Sequence, residues 1–379
     1  AVNNSTARVL SIDIPSGING KTGQVCKLAV KADETVTFAF PKPGLFQYPG
    51  AKYAGNISVA DIGIPSDAVN EANLKGQLID CRIAARYLPE RPADGHKGTF
   101  GKLMIISGSA GMSGSGTLAA KAAFKMGSGL VYLAVPKSLA FIYNVAIPEA
   151  ITLQMQDDDG LIMPENLEAL KFISNTMDAV VIGPGLSTKP QVSSWVGTFV
   201  AECRRPIVID ADALNIIAKQ PHILLERKAP TVITPHPGEF SRLTGLPVEN
   251  IQKNRIDEAL SFSSKYNITV VLKGAGTVIA NPGGEYFVNS TGHPGMAVAG
   301  SGDVLAGIIG SLIGQGVDHE NACAVGVFIH GRCGEILARL NSGQSGFLAG
   351  ELCSLVPQAA AETLKDAKAG AGDGRWIRF

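Results

Sequence analysis

Ala179-Val180-Val181-Ile182-Gly183-Pro184-Gly185 sets a pattern that the chain repeats: a short, continuously apolar, β-branched run, then small residues at its carboxyl end. Leu103–Ile106, Leu130–Val135, Ile207–Ile209, Thr231–Ile233 and Thr269–Leu272 are built alike. Strands buried on both faces read this way, and parallel sheets bury both faces. Helical stretches lie between several of these runs. Leu118–Met126 is rich in Ala, Leu and Lys, and Ile256–Tyr266 follows a helical period. The alternation predicts an α/β domain on a mainly parallel sheet, in which ligands sit beyond the carboxyl ends of the strands. Those ends are Ser107-Gly108-Ser109-Ala110-Gly111, Gly183-Pro184-Gly185, Asp210-Ala211-Asp212, Thr234-Pro235-His236-Pro237-Gly238-Glu239 and Lys273-Gly274-Ala275-Gly276-Thr277. Small and polar residues thus converge on one rim.

The chain has 379 residues, 45% of them hydrophobic, enough for one large domain plus a smaller one. Lys+Arg and Asp+Glu balance at 33 each, so no net field steers the protein toward nucleic acid or an anionic membrane. Backbone amides can still bind phosphate locally. Cys26, Cys81, Cys203, Cys323, Cys333 and Cys353 are scattered, with no C-x-x-C pair, and read as reduced thiols. No apolar run reaches the ~20 residues of a membrane span, and no signal-peptide pattern is visible. A soluble cytoplasmic protein is expected. The chain opens at Ala1 with no initiator Met. A fragment or a processed product is therefore expected, one that could have lost an N-terminal targeting segment.

Ahead of residue 85, Arg8–Ile12, Ala32–Phe40 and Ser58–Ile62 read as strands, with too little chain for a complete domain. Asn73–Arg91 reads as a linker and connecting helix ended by Pro89 and Pro92, and the Ala-, Lys- and Gly-rich residues beyond Pro357 lead into a solvated tail.

The sharpest chemical signal is Asn289-Ser290-Thr291-Gly292-His293-Pro294-Gly295-Met296-Ala297-Val298-Ala299-Gly300-Ser301-Gly302-Asp303. Directly downstream, Val304, Leu305, Ile308, Ile309, Leu312 and Ile313 repeat at one-turn spacing, the buried stripe of a helix. Gly300, Ser301 and Gly302 therefore sit at a helix N-terminus, where small residues leave amides open to an anion and the helix dipole adds roughly half a positive charge. Asp303 conflicts with an anion hole unless it takes or orients the proton of a hydroxyl attacking a phosphate. The plainer reading is a helix cap, which Asp does well. The Gly-rich approach favours catalysis.

Lys273-Gly274-Ala275-Gly276-Thr277 is a glycine-rich turn that lets a ligand approach the backbone, though it lacks the P-loop order and alone reads as an ordinary hairpin. His236 is stiffened by a proline on each side, and could hydrogen-bond a substrate or be satisfied within its turn. His330, on an apolar helix, reads as a core or helix-face histidine. His96, His222, His293 and His319 show no metal-ligand spacing. The loop Gly108–Gly116 suggests a dinucleotide fingerprint, but Leu130–Val135 runs into Pro136 without the acidic residue that would hold a ribose. A looser wall for a bulky ligand fits better than a Rossmann NAD site.

These blocks, with His96-Lys97-Gly98-Thr99-Phe100-Gly101, Gly183-Pro184-Gly185-Leu186 and Asp210-Ala211-Asp212-Ala213-Leu214, stand in the order seen in bacterial-type NAD(P)H-hydrate dehydratases. Over roughly residues 85–360 the chain resembles that family, which implies a ribokinase-like three-layer α/β sandwich. The resemblance further implies that ADP, or ATP in eukaryotic members, phosphorylates the hydroxyl of (6S)-hydrated NADH or NADPH, after which phosphate leaves. Asp303 would be the base. Gly300, Ser301 and Gly302 would hold the phosphoryl group, and Lys273, Gly274, Ala275, Gly276 and Thr277 the nucleotide. Ser115, where the family often has Ala, would line the hydrate pocket with Gly185 and His236. Mg²⁺ would accompany the nucleotide.

Residues 1–70 resemble the last part of the partner epimerase domain through Asp13-Ile14-Pro15-Ser16-Gly17, Thr37-Phe38 and Asp61-Ile62-Gly63-Ile64-Pro65. There Asp13 would bind the hydrate and Ser16 would help hold K⁺. The family's upstream Gly/Asn-rich loop is missing from this sequence. The expected division is a partial Rossmann-like epimerase segment at 1–72, a linker and helix at 73–92, a dehydratase domain at 93–362 and a tail at 363–379, in a homo-oligomer. Two alternatives stand beside it. One is a hydroxymethylpyrimidine or thiazole kinase of the same superfamily, distinguished by a stable phosphoester product. The other is a non-catalytic nucleotide-binding scaffold, which degenerate motifs would support.

Overall fold

The computed structural model describes residues 2–341, 343, 345–369 and the backbone of 376–378. Near the amino terminus, β1 (Leu10–Ile12), β2 (Glu34–Phe38) and β3 (Asn56–Ala60) pair in parallel around a small core of Leu45, Ala54 and Ile57. The main sheet begins with β4 (Gly76–Ile79), β5 (Lys102–Ile106), β6 (Leu130–Pro136) and β7 (Ile151–Met155). Past a hairpin of β8 (Asp157–Asp158) and β9 (Leu161–Ile162), it continues with β10 (Ala179–Ile182), β11 (Ile207–Ile209), β12 (Thr231–Ile233), β13 (Thr269–Leu272), β14 (Val278–Ala280) and β15 (Tyr286–Asn289). The spatial order is β4-β15-β14-β13-β12-β11-β10-β5-β6-β7. Among its described strands, β14 alone runs against the rest.

Both faces of the sheet are covered, as continuous apolar runs require. Leu103, Ile105, Val181, Val208 and Val271 face helices Ser113–Met126, Ser301–Gly314, His319–Asn341 and Ala349–Ala369. Met104, Ile106, Val180, Ile182, Val270 and Leu272 face helices Pro190–Glu202, Ala211–Ile217, Pro237–Thr244 and Arg255–Tyr266. Each buried Val, Leu or Ile contributes roughly 1.5–3 kcal/mol. The result is the three-layer α/β sandwich expected.

The chain runs outward from β5 to β7, then returns to the other side of β5 as β10. Helix Ser113–Met126 after β5 lies in one layer and Pro190–Glu202 after β10 in the other. The loops part there, which opens the crevice where such sheets bind ligands. The two loops are tied at its base: the Gly108 amide donates to the Pro184 carbonyl at 3.1 Å, and Ser109 Oγ to the Gly185 carbonyl at 2.9 Å.

Two expectations need correction. The segment 73–92 is not only linker and helix, because Gly76–Ile79 is an edge strand parallel to β15. With Leu78 and Ile79 as its apolar residues, and Ile79 fully buried, it carries too short a pattern to be read as a strand. The tail 363–379 is not simply solvated. Helix Ala349–Ala369 runs through Pro357 and to Ala369, with Thr363 buried, and β16 (Trp376–Arg378) pairs antiparallel with β3.

Candidate active site at the carboxyl end of the main sheet

Helix Ser301–Gly314 begins after Gly300, whose φ of +85° is a left-handed turn that glycine makes without strain. The apolar stripe read from the sequence extends all round the helix: every residue is buried except Gly302 and Asp303. Those two sit in the first turn, where amides lack intrahelical acceptors. The Ser301 amide turns back to the Val298 carbonyl at 3.4 Å, whereas the Gly302 and Asp303 amides have no backbone acceptor among the described residues. The first-turn amides left open to an anion are thus those of Gly302 and Asp303 rather than that of Ser301. The Ser301 hydroxyl points inward, 3.2 Å from His330 Nε2. His330 is buried as expected, but it also props the first turn of this helix. Burial pushes its pKa down to about 4, so the ring is neutral.

Asp303 is pushed up to about 6, first by burial and then by Asp210, while the Ser115 hydroxyl and Lys273 hold it lower. A carboxyl with that pKa is ionised at pH 7 and still able to take a proton, which suits a general base.

Lys273, at the end of β13, does not direct its side chain out with the rest of its turn. Its Nζ reaches across to Asp210 Oδ1 at 2.8 Å and lies 3.8 Å from Glu239 Oε2. A Cβ placed on Gly302 would lie 3.3 Å from that Nζ, so the ammonium stands beside the helix N-terminus. Asp210 directly follows β11, is 1% exposed, and also accepts from Thr234 Oγ1 at 2.8 Å. Burial raises Glu239 to about 7 against the pull of Lys273. The site therefore holds one partly buried cation, two open helix amides, and carboxyls that can carry protons. Those features let an oxyanion enter without facing a full set of negative charges.

His236 is satisfied within its turn, one of its two readings. It caps helix Pro237–Thr244: Nδ1 accepts from the Gly238 and Glu239 amides at 3.0 and 3.4 Å, and Glu239 Oε2 accepts from the His236 amide at 2.8 Å. With Nδ1 an acceptor, the proton sits on Nε2. The side chain is 51% exposed, and Nε2 lies 3.5 Å from Glu239 Oε1. Burial and the Lys273 charge lower its pKa, which keeps the ring neutral at pH 7.

Gly185 packs on the first turn of helix Ser113–Met126, where a Cβ would lie 2.7 Å from the Met112 carbonyl oxygen and 3.0 Å from Ser115 Cβ. The structure thus brings Ser115, Gly185, His236, Lys273, Gly302 and Asp303 to one rim. Gly274, Ala275, Gly276 and Thr277 form the β13–β14 turn, closed by Thr277 Oγ1 donating to the Gly274 carbonyl at 2.8 Å. Asp13 and Ser16 lie elsewhere, after β1. Asp13 Oδ1 accepts from Lys42 Nζ at 2.7 Å, Thr37 Oγ1 at 3.1 Å and the Phe38 amide at 3.2 Å, and these bonds lower its pKa despite burial. Ser16 is exposed.

Sequence reading gave no role to Asp210, Glu239 or His330. Two of the three left a trace. Asp210 directly follows an apolar strand, and Glu239 stands three residues after His236, the capping-box spacing. His330 left none, because its partner is 29 residues away.

No helix among the described residues is long and apolar enough to cross a membrane. All six cysteines are free.

The NAD(P)H-hydrate dehydratase family matches residues 103–358, and the family described as the YjeF-related protein N-terminus matches residues 1–44. The bifunctional NAD(P)H-hydrate repair enzyme Nnr of Thermofilum pendens is 41% identical over 95% of this chain and 68% of its own length. That of Moorella thermoacetica is 40% identical over 94% and 67%. Among solved structures, ADP/ATP-dependent NAD(P)H-hydrate dehydratase from Bacillus subtilis, co-crystallised with ATP/Mg²⁺, superposes with a TM-score of 0.66 at 32% identity, covering 76% of this chain and 98% of that one. The chain belongs to the NAD(P)H-hydrate dehydratase family, with a ribokinase-like fold, and carries ahead of that domain a segment of the kind found in the bifunctional repair enzymes.

Proposed function

We propose that this protein dehydrates the 6S epimers of hydrated NADH and NADPH, using ADP, with ATP as the alternative donor. The observation that carries the reading is Asp303. Its carboxyl, raised to about 6, stands in the first turn of a helix whose Gly302 and Asp303 amides are open, with the Lys273 ammonium alongside. Asp303 takes the proton of the 6-hydroxyl as its oxygen attacks the terminal phosphorus of the nucleotide. The open amides and Lys273 stabilise the charge on the transferring phosphoryl group. The terminal P–O bond of the nucleotide breaks as the new one forms, releasing AMP from ADP or ADP from ATP. The new phosphoester is a better leaving group than hydroxide, so phosphate departs with the C6–O bond electrons, a proton leaves the adjacent ring carbon C5, and the C5–C6 double bond is restored. The turn Lys273–Thr277 receives the nucleotide, and Ser115, Gly185 and the His236 Nε2–H receive the hydrate.

Among the described residues no group of three His, Cys, Asp or Glu side chains could hold a metal ion. Mg²⁺ would therefore enter with the nucleotide, held by its phosphate oxygens, water and at most one or two carboxylates. We take residues 93–362, with Gly76–Ile79 and Cys81–Tyr87 added, as the dehydratase unit, working in the cytoplasm as a homo-oligomer.

A second activity, epimerisation with K⁺ at Ser16, is favoured by one feature of the N-terminal segment. Asp13 sits at a strained φ of +67° with its bonds gathered on Oδ1. One experiment tests both readings: the purified protein is incubated with mixed hydrate epimers and ADP or ATP, with and without K⁺, and each epimer is followed by chromatography. The proposal expects loss of the S epimer with NADH formed. A stable phosphoester would indicate a kinase. An R epimer that persists with K⁺ present would remove the epimerase reading.

A further inference from the structure

The nucleotide turn is gripped from the N-terminal segment. Gly276 lies at φ +63°, and a Cβ on it would fall 2.4 Å from the Phe46 carbonyl oxygen. The Gln47 side chain, from a residue 2% exposed, donates through Nε2 to the Gly276 carbonyl at 2.8 Å. Its Oε1 accepts from Arg255 Nε at 3.1 Å. Arg255 is 6% exposed and reaches the other arm of the turn: Nη2 donates to the Leu272 carbonyl at 2.8 Å and to the Lys273 carbonyl at 3.3 Å, and Nη1 to Gln252 Oε1 at 2.7 Å. Gly274 packs on the guanidinium, where a Cβ would lie 3.2 Å from both terminal nitrogens. Both arms of the Lys273–Thr277 turn are thus fixed by one Gln–Arg pair, and one member of that pair belongs to the epimerase-like segment.

The charge on this pair also bears on a ligand. The acceptors around Arg255 are neutral: two side-chain amides and two backbone carbonyls. Burial lowers its pKa to about 10, which still leaves it protonated at pH 7. A buried cation with neutral partners is stabilised by an anion brought to the far side of the turn. Nucleotide phosphates are such an anion.

We propose that Gln47 and Arg255 are positioning residues for the nucleotide, so that the N-terminal segment serves the dehydration reaction whether or not it epimerises. The proposal rests on the assignment of Lys273–Thr277 to the nucleotide. The test uses the full chain, with ADP affinity measured by titration calorimetry and steady-state constants for ADP and for the hydrate. Gln47→Ala removes one hydrogen bond to the turn and is expected to weaken ADP binding about three- to tenfold, with kcat within about twofold and the hydrate KM unchanged. Arg255→Lys keeps the charge but not the fork, and is expected to weaken ADP at least as much. Lys21→Ala breaks only the exposed Lys21–Asp257 pair (2.8 Å) at the same seam and should leave ADP affinity at its original value. Wild-type affinity for ADP in Gln47→Ala would overturn the proposal. So would a fall in hydrate affinity and melting temperature in step with ADP, because that pattern marks general loosening. A wild-type chain that binds neither ADP nor ATP would sink the nucleotide assignment itself, a distinct result.

Discussion

Replacing Lys273 with Met keeps the side chain's length and removes its charge. Its Nζ lies 2.8 Å from Asp210 Oδ1 and 3.8 Å from Glu239 Oε2. At an effective dielectric constant of about 20 these contacts correspond to roughly 6 and 4 kcal/mol of gross attraction. Relief of the ammonium's own desolvation offsets much of this, and removing one partner of a buried pair typically costs about 3–5 kcal/mol net. The loss should depend on pH. Lys273 holds down the pKa values of Glu239 and Asp303, which already stand near 7 and 6. Without it both rise further. Carboxyls with raised folded pKa values bind protons that the unfolded chain releases, so the variant's stability falls as pH climbs. Lys273→Met should therefore be most destabilised at pH 8 and recover toward pH 6, at up to about 1.4 kcal/mol per pH unit for each titrating carboxyl. The acidic limb of its residual kcat/KM profile should move up by a unit or more from about pH 6. Thermal unfolding at pH 6, 7 and 8 and a pH–rate profile read both effects. A variant as stable as wild type at pH 8, with its limb unmoved, would refute the charge arrangement.

Two further perturbations probe the same site. Glu239 is raised from 4.5 to about 7, so wild-type stability contributed by this group declines as pH rises through that window; Glu239→Gln should flatten the decline and gain up to about 3 kcal/mol over wild type above pH 7, measured by denaturant unfolding across pH. Ser301→Ala leaves the buried His330 Nε2 without its 3.2 Å partner and should cost about 1–3 kcal/mol in stability, with a smaller loss of kcat from a loosened first helical turn; unchanged stability would mean that the Ser301–His330 contact contributes nothing.

The main domain was legible because its strands are buried on both faces. Ala179–Ile182, Ile207–Ile209, Thr231–Ile233 and Thr269–Leu272 have the bounds that their apolar runs suggested. Gly76–Ile79 escaped because an edge strand with a short apolar pattern resembles a linker. The helix beyond Pro357 escaped because proline normally argues for an end. At the site, Asp303 and its glycines could be read locally, since helix periodicity placed them at an N-terminus. The Lys273–Asp210 pair joins residues 63 positions apart, and Gln47 meets Gly276 across 229. No local pattern carries such contacts; they appear only when parallel strands lie side by side and the small segment docks.

Asp303→Asn tests the base proposed for the reaction most directly. It keeps the side chain's shape and one oxygen acceptor while removing the base. ADP-driven conversion of the S hydrate to NADH should fall about 10²–10⁴-fold, with the ADP dissociation constant within a few-fold of wild type. Conversion near the wild-type rate in that variant would contradict the role given to this carboxylate and, with it, the proposed mechanism.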